Sequence, residues 1–219
     1  MTNKKRNIII SSALIVLAIV FTIMVKTIDV KAIGANNTNI GFSGINIFIF
    51  NAFGVNMTLY HITDWLGFIP IIFALAYAIT GIIQAIKRKS LLKVDKEIVF
   101  LGIFYIILVC LYIFFEKVIV NYRPILIDGF LEASYPSSHT LMAVCLCGSS
   151  IIINKALYNT KFSKIVNIAS IVVMSIIVIG RLISGVHWFT DIIGGLIISA
   201  AMLMSLYTII QILQDKKKQ

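Results

Sequence analysis

Charge is scarce in this 219-residue sequence: Asp, Glu, Lys and Arg make up 13% of it, against roughly a quarter in a water-soluble domain. With 59% hydrophobic residues and a mean hydropathy of +0.99, that scarcity excludes a soluble globular domain and places the chain in a membrane. Cysteine is scarce as well. Three is an odd count, and Cys110, Cys145 and Cys147 all fall in apolar runs, which argues against a disulfide framework or a thiolate metal site and for buried, inert thiols. On a helix the Cys145-x-Cys147 pair points to different sides. Internal repeats are lacking, and the one glycine-rich element, Gly194-Gly195, suits close helix packing.

What the sequence does contain is long apolar runs. Six are candidate spans: Asn7–Val25, Leu66–Ile86, Ile98–Phe115, Ser138–Asn154, Ile165–Gly180 and Ile192–Leu213. Each approaches or exceeds the ~17 residues that cross ~30 Å of hydrocarbon as a helix, the fourth and fifth by extending into their flanks. They leave no room for a separate soluble domain, so an all-α, six-helix membrane bundle is expected, with residues 1–219 forming one membrane-embedded domain.

The formal net charge of +10 could signal a nucleic-acid partner, but its distribution says otherwise. Lys4, Lys5 and Arg6 precede the first run. Lys87, Arg88, Lys89, Lys93 and Lys96 fill the second connection, Lys155, Lys161 and Lys164 the fourth, and Lys216, Lys217 and Lys218 the tail. Fourteen of nineteen basic residues thus share one side, which the positive-inside rule makes cytoplasmic, with both termini. Only Asp95, Glu97 and Asp215 join them, so the inner side sums to +11 and the outer to −1. The basic excess describes orientation, and no nucleic-acid partner is expected. The Asn-rich stretch from Ala32 to Tyr60 reads as an outer lid or collar, since a crossing there would invert the charged connection after Ile86. The first run outlasts a ~7–15-residue signal core and lacks a clean small-residue cleavage site after it, so it reads as a retained helix.

The residues capable of chemistry gather on the outer side. Lys26, Lys31, Lys117, Arg123 and Arg181 are its only basic residues. His139 opens the fourth run after Tyr135-Pro136-Ser137-Ser138, and His187 follows Gly180-Arg181, with Asp191 one helical turn on. An ionisable residue in hydrocarbon costs at least ~2.5–3.5 kcal/mol on insertion scales, so such a cluster at span ends asks for a reason. His187 and Asp191 share a helix face as a satisfied polar pair or as a nucleophile with its orienting carboxylate. Arg123 and Arg181 are interfacial anchors if they act singly; if they converge, their planar forks grip phosphate oxygens. Pro136-Ser137-Ser138-His139 is a helix start whose free N–H groups also suit an anion, with His139 placed as a general acid. His61, Asp64 and Trp65 read as interfacial, with Trp65 and Trp188 as belt aromatics.

Taken together, the Lys117…Arg123-Pro124, Pro136-Ser137-x-His139 and Arg181-x5-His187-x3-Asp191 blocks resemble the type 2 phosphatidic acid phosphatase superfamily over roughly residues 116–191. The resemblance implies an α-helical bundle that hydrolyses a lipid phosphomonoester or pyrophosphate. The substrates it suggests are undecaprenyl diphosphate, phosphatidic acid and phosphatidylglycerol phosphate, with a slight lean to the polyprenyl diphosphate. It implies His187 as the nucleophile that becomes phosphohistidine, Asp191 as its support, and His139 as the acid and later the base. Arg123, Arg181, Ser137, Ser138 and Lys117 would hold the phosphate, with no metal and no other cofactor. The sequence departs from the pattern at three points. Five rather than six residues separate Lys117 from Arg123, leaving Glu116 where the family has Lys; one residue on a helix rotates a side chain by ~100°. Ser138 stands where Gly is common, and Gly180 where Ser is usual. The partners expected are the bilayer and a lipid substrate, met from the extracytoplasmic face. A phosphotransferase on the same scaffold and an anion transporter are the alternatives, and the transporter is disfavoured because no run carries a charge at mid-depth.

Overall fold

The computed structural model describes residues 3–218. Among the described residues, six helices or helix pairs are long and apolar enough to cross a membrane. The first is α1 (Asn3–Thr27). A polar connection then carries a two-residue antiparallel pairing of Lys31–Ala32 with Asn39–Ile40, followed by α2 (Ser43–Phe53). Next come α3 (Met57–Leu66), α4 (Phe68–Lys87), α5 (Lys96–Lys117), α6 (Ser138–Ile153), α7 (Lys161–Ile183) and α8 (Phe189–Lys218). Asn154–Tyr158 prolongs α6 by a π-helical turn.

The second span differs from expectation. It starts at Met57, nine residues before Leu66, because α3 leads into α4 across Gly67. The joint has a local cause: Pro70 has no N–H to offer the carbonyl of Leu66, and its ring crowds that carbonyl. Asp64, which bounds the uncharged run on its N-terminal side, sits inside this helix pair. The fourth and fifth spans gain length from their flanks, reaching Tyr158 and starting at Lys161. Thr160 starts α7 with a reciprocal cap: its hydroxyl accepts from Ser163 N at 3.1 Å, while Ser163 Oγ accepts from Thr160 N at 2.8 Å.

α6 is the most enclosed span, touching α4, α5, α7 and α8, while α1 packs along α8. The dry core joins Leu101, Phe104 and Leu108 of α5 to Leu141 and Leu146 of α6 and Leu206 of α8. Polar side chains inside the bundle bond across helices, as they must where no water competes. Tyr77 Oη donates to Asn154 Oδ1 (2.8 Å), Asn154 Nδ2 donates to Asn167 Oδ1 (2.9 Å), and the Ser11 and Ser205 hydroxyls meet at 2.7 Å. The outer faces of the helices are apolar and exposed, as at Ile9, Val16, Ile72, Ile106 and Ile165, the pattern of helices that face lipid. Cys145 and Cys147 are buried, whereas Cys110 faces outward from α5; all three are free.

Connections at the two ends of the bundle differ in kind. At one end, Lys217 Nζ pairs with buried Glu97 at 2.7 Å and Arg88 pairs with Asp95 at 2.7 Å. At the other, the 28–56 segment fastens itself to the start of α8. Asn46, fully buried, donates to Gly41 O (2.8 Å) and Thr190 Oγ1 (2.9 Å) and accepts from Thr190 N (3.1 Å). The collar expected from sequence is therefore a folded part of this end. Trp188 is not a belt aromatic: it is buried, donating from Nε1 to Tyr122 O at 2.8 Å and packing on Phe50.

Candidate functional site

Three helix ends and one loop converge at the collar end. α6 contributes Ser137 as its cap, then Ser138 and His139; α7 ends just past Arg181; and the turn to α8 carries His187. Gly185 makes that turn possible. Its φ is +66°, and a Cβ there would come within 1.9 Å of Gly54 O. The loop between α5 and α6 folds back on itself through Arg123 N to Glu132 O (3.1 Å) and Ser134 N to Asn121 O (2.9 Å), which brings Arg123 and Ser134 to the cluster. Gly194 and Gly195 let α8 close on this end, since a Cβ at Gly194 would lie 2.2 Å from the Tyr135 ring and one at Gly195 3.1 Å from Thr140 Cγ2.

His187 is buried, with Nδ1 at 3.1 Å from the carbonyl oxygen of Ser134. A carbonyl can only accept, so Nδ1 carries the proton and Nε2 keeps its lone pair. Nε2 is buried and, among the described residues, has no hydrogen-bond partner. Asp191 reaches the imidazole through an intermediary, which departs from the direct pairing expected of a His-x3-Asp spacing. Ser134 Oγ donates to Asp191 Oδ2 and lies 3.1 Å from His187 Nδ1. Asp191 also accepts from Trp188 N (2.9 Å) and Asn121 Nδ2 (3.2 Å), so the fully buried carboxylate is held from three directions. Burial, followed by the nearby charges of Arg123 and Arg181 and by His139, holds the His187 pKa well below its ordinary 6.5, which leaves a neutral imidazole.

The two arginines expected to grip phosphate lie at the same end as His187. Arg181 is fully buried. Its Nη2 donates to Asp64 Oδ1 at 2.9 Å and its Cζ stands 4.7 Å from the Tyr60 ring centroid, leaving Nε and Nη1 without partners. Arg123 Nε is 3.1 Å from Glu132 Oε2 but out of line for a hydrogen bond, and its Nη1 is also unpartnered. Leaving buried donors unpaired is costly, and here at least four guanidinium N–H groups are so placed. His139 Nε2 meets Asp64 Oδ1 at 2.9 Å, and Nδ1 has no partner.

Ser137 and Ser138 divide their tasks. Ser137 is buried, donating its N–H to Asp191 O (3.0 Å) and accepting at its hydroxyl oxygen from Thr140 N (3.5 Å), so it fixes the start of α6 against α8. Ser138 and His139 occupy the first turn, where N–H groups have no helical acceptor. Both line a cavity of about 240 Å³ that runs past Asp64 and Tyr112 to Phe68, Ile71 and Met142. Lys117, which the resemblance placed among the phosphate-holding groups, stands exposed at the end of α5 and, among the described residues, has no hydrogen bond or ion pair to the cluster. Glu116 lines the small cavity beside His187 instead. Ser134, Asn121, Tyr60 and Asp64 complete the cluster, and sequence reasoning gave none of them a role in it. Among the described residues no three His, Cys, Asp or Glu side chains stand together as metal ligands.

The sequence model of the PAP2 superfamily matches residues 100–215, which contain every element of the site except α3. A solved structure, the transmembrane PAP2-type phosphatidylglycerolphosphate phosphatase from Bacillus subtilis, superimposes with a TM-score of 0.61 over 94% of this chain and 96% of that one, at 19% identity. A search of curated proteins gives no match.

Proposed function

The chain belongs to the PAP2 superfamily, and on that premise we propose that it is a lipid phosphatase whose residues 1–219 form one membrane-embedded catalytic domain. The observation that carries the reading is the set of buried, unpartnered nitrogens of Arg123, Arg181 and His187 at one end of the bundle. Two cations and a neutral imidazole with an available lone pair suit a phosphoryl group and little else.

In the first step His187 Nε2 attacks phosphorus, forming a P–N bond as the P–O bond to the lipid breaks. His139 gives its proton to the departing oxygen. The positive charge that develops on the His187 ring is delocalised to Nδ1 and met by the Ser134 carbonyl and, through the Ser134 hydroxyl, by Asp191. Arg123, Arg181, Ser138 and the first-turn N–H groups of α6 hold the equatorial oxygens, with Ser137 fixing that turn. In the second step water attacks phosphorus, His139 takes its proton, and the P–N bond breaks to release phosphate. No metal enters either step.

The lipid portion fits the cavity that His139 shares with Phe68, Ile71 and Met142, because the departing oxygen must lie beside the acid. The site lies at the end of the bundle opposite the Lys- and Arg-rich connections, so the positive-inside rule turns it to the extracytoplasmic face with both termini inside. Undecaprenyl diphosphate, phosphatidate and phosphatidylglycerol phosphate all carry a terminal phosphoryl group on a lipid. The test is phosphate release by the purified protein from each of the three, repeated with His187→Ala and with EDTA. Release that His187→Ala abolishes and EDTA leaves intact is expected; full release by His187→Ala overturns the mechanism.

A further inference from the structure

Asp64 has no place in the reaction as derived, yet it touches two of its groups. One carboxylate oxygen, Oδ1, lies 2.9 Å from Arg181 Nη2 and 2.9 Å from His139 Nε2. We propose that Asp64 is a positioning residue that fastens the proton-donating His139 to the phosphate-gripping Arg181 and keeps that place while the lipid leaves. This rests on the phosphatase reading above.

Three features build the contact. Tyr60 and Asp64 are four apart on α3 and so share a face. The Arg181 guanidinium lies over the Tyr60 ring at 4.7 Å while its Nη2 meets the carboxylate, so one helix face holds the cation from two sides. Gly180 lets α3 come this close to α7: a Cβ there would lie 2.4 Å from Thr63 Cγ2. The glycine that departs from the family pattern next to Arg181 thus makes room for the helix that carries Asp64. Gly67 does the same beside the acid, since a Cβ there would stand 3.3 Å from His139 Cδ2.

The geometry leaves both partners free to act. Arg181 engages Asp64 through Nη2 alone, leaving Nε and Nη1 for phosphate. His139 engages it through Nε2, leaving Nδ1 to deliver the proton. Asp64 and His139 line the same cavity, so the carboxylate stands on the side where the lipid oxygen departs. An acid held there matters most for a poor leaving group. An alkoxide requires its proton as the P–O bond breaks, whereas p-nitrophenolate departs without one.

The experiment compares Asp64→Asn, Asp64→Glu and wild type on a short-chain phosphatidate and on p-nitrophenyl phosphate, in the same detergent. In Asp64→Asn, kcat/KM on phosphatidate, which reports the step that expels the lipid oxygen, is expected to fall at least about tenfold more than kcat/KM on the aryl ester, a part of the ~10²–10⁴-fold that a general acid contributes. Asp64→Glu, which keeps the charge but shifts it by one methylene, is expected to show the same asymmetry to a smaller degree. It carries the test should the Asn protein not fold. Equal losses on both substrates overturn the proposal by showing a merely structural role. Unchanged or faster phosphatidate turnover with a lower KM overturns it too, since Asp64 would then be a stand-in that phosphate displaces. Wild-type protein that releases phosphate from neither compound strikes at the phosphatase reading itself, and so separates the two failures.

Discussion

Ser134→Ala isolates the link between Asp191 and His187. The Ser134 hydroxyl donates to Asp191 Oδ2 and lies 3.1 Å from His187 Nδ1, while the backbone carbonyl of the same residue already accepts from Nδ1. Alanine keeps the carbonyl, hence the tautomer and the available Nε2 lone pair, and removes only the hydroxyl. A hydrogen bond to a charged group is worth about 1.5–3 kcal/mol. At ~1.4 kcal/mol per factor of ten, kcat should fall about 10- to 150-fold if the whole bond serves the positive ring formed on attack. KM should hold, because Ser134 is placed behind the imidazole rather than against phosphate. Asp191 keeps its bonds from Trp188 N and Asn121, so the fold should survive with a loss of about 1–3 kcal/mol. Steady-state phosphate release from phosphatidate, beside a thermal melt, reads both quantities. An unchanged kcat, or a loss confined to KM, would refute the relay.

Three further outcomes follow from charge. Because His187 stays neutral in the folded protein well below pH 6.5, the acid limb of kcat/KM arising from this nucleophile should lie below the ordinary histidine value, as a pH–rate profile would show. The same shift acts on stability: the unfolded chain takes up a proton near pH 6.5 that the folded chain refuses, so Tm should fall as pH drops below ~6.5 and until the folded pKa is passed. Glu116→Lys should lower KM for phosphatidate about three- to tenfold, since Glu116 lines the small cavity beside His187 and its charge opposes a phosphate dianion; solvent screening at this exposed residue limits the gain, and inhibition by vanadate should strengthen in parallel.

Much of this architecture was legible in the sequence because membrane helices declare themselves by composition. Six charge-free runs became six spans, and the motif residues lay at run ends, where any ionisable group is conspicuous. The misreadings have physical causes. Counting uncharged runs ended the second span at Asp64, yet a carboxylate paired with Arg181 and His139 is tolerated inside a helix, so the run continued to Met57. Ser134 lies in a loop and reaches His187 through a backbone fold that no spacing rule encodes. Trp188 resembled a belt residue until the α5–α6 loop was seen to cover it. Gly180, a departure from the family pattern, is the space into which Thr63 fits. Lys117 is a further case: the resemblance assigned it to the phosphate despite its one-residue shift, and it stands exposed at the end of α5.

The central claim is that His187 takes the phosphoryl group onto its own ring. It can be tested by mixing the His139→Ala protein, which lacks the base for the water step, with p-nitrophenyl phosphate, quenching in alkali, and mapping the modified peptide by mass spectrometry. The account predicts one phosphoryl group on His187, absent when His187→Ala is added. Turnover without a phosphorylated His187, or a phosphoryl group on any other side chain, would contradict it.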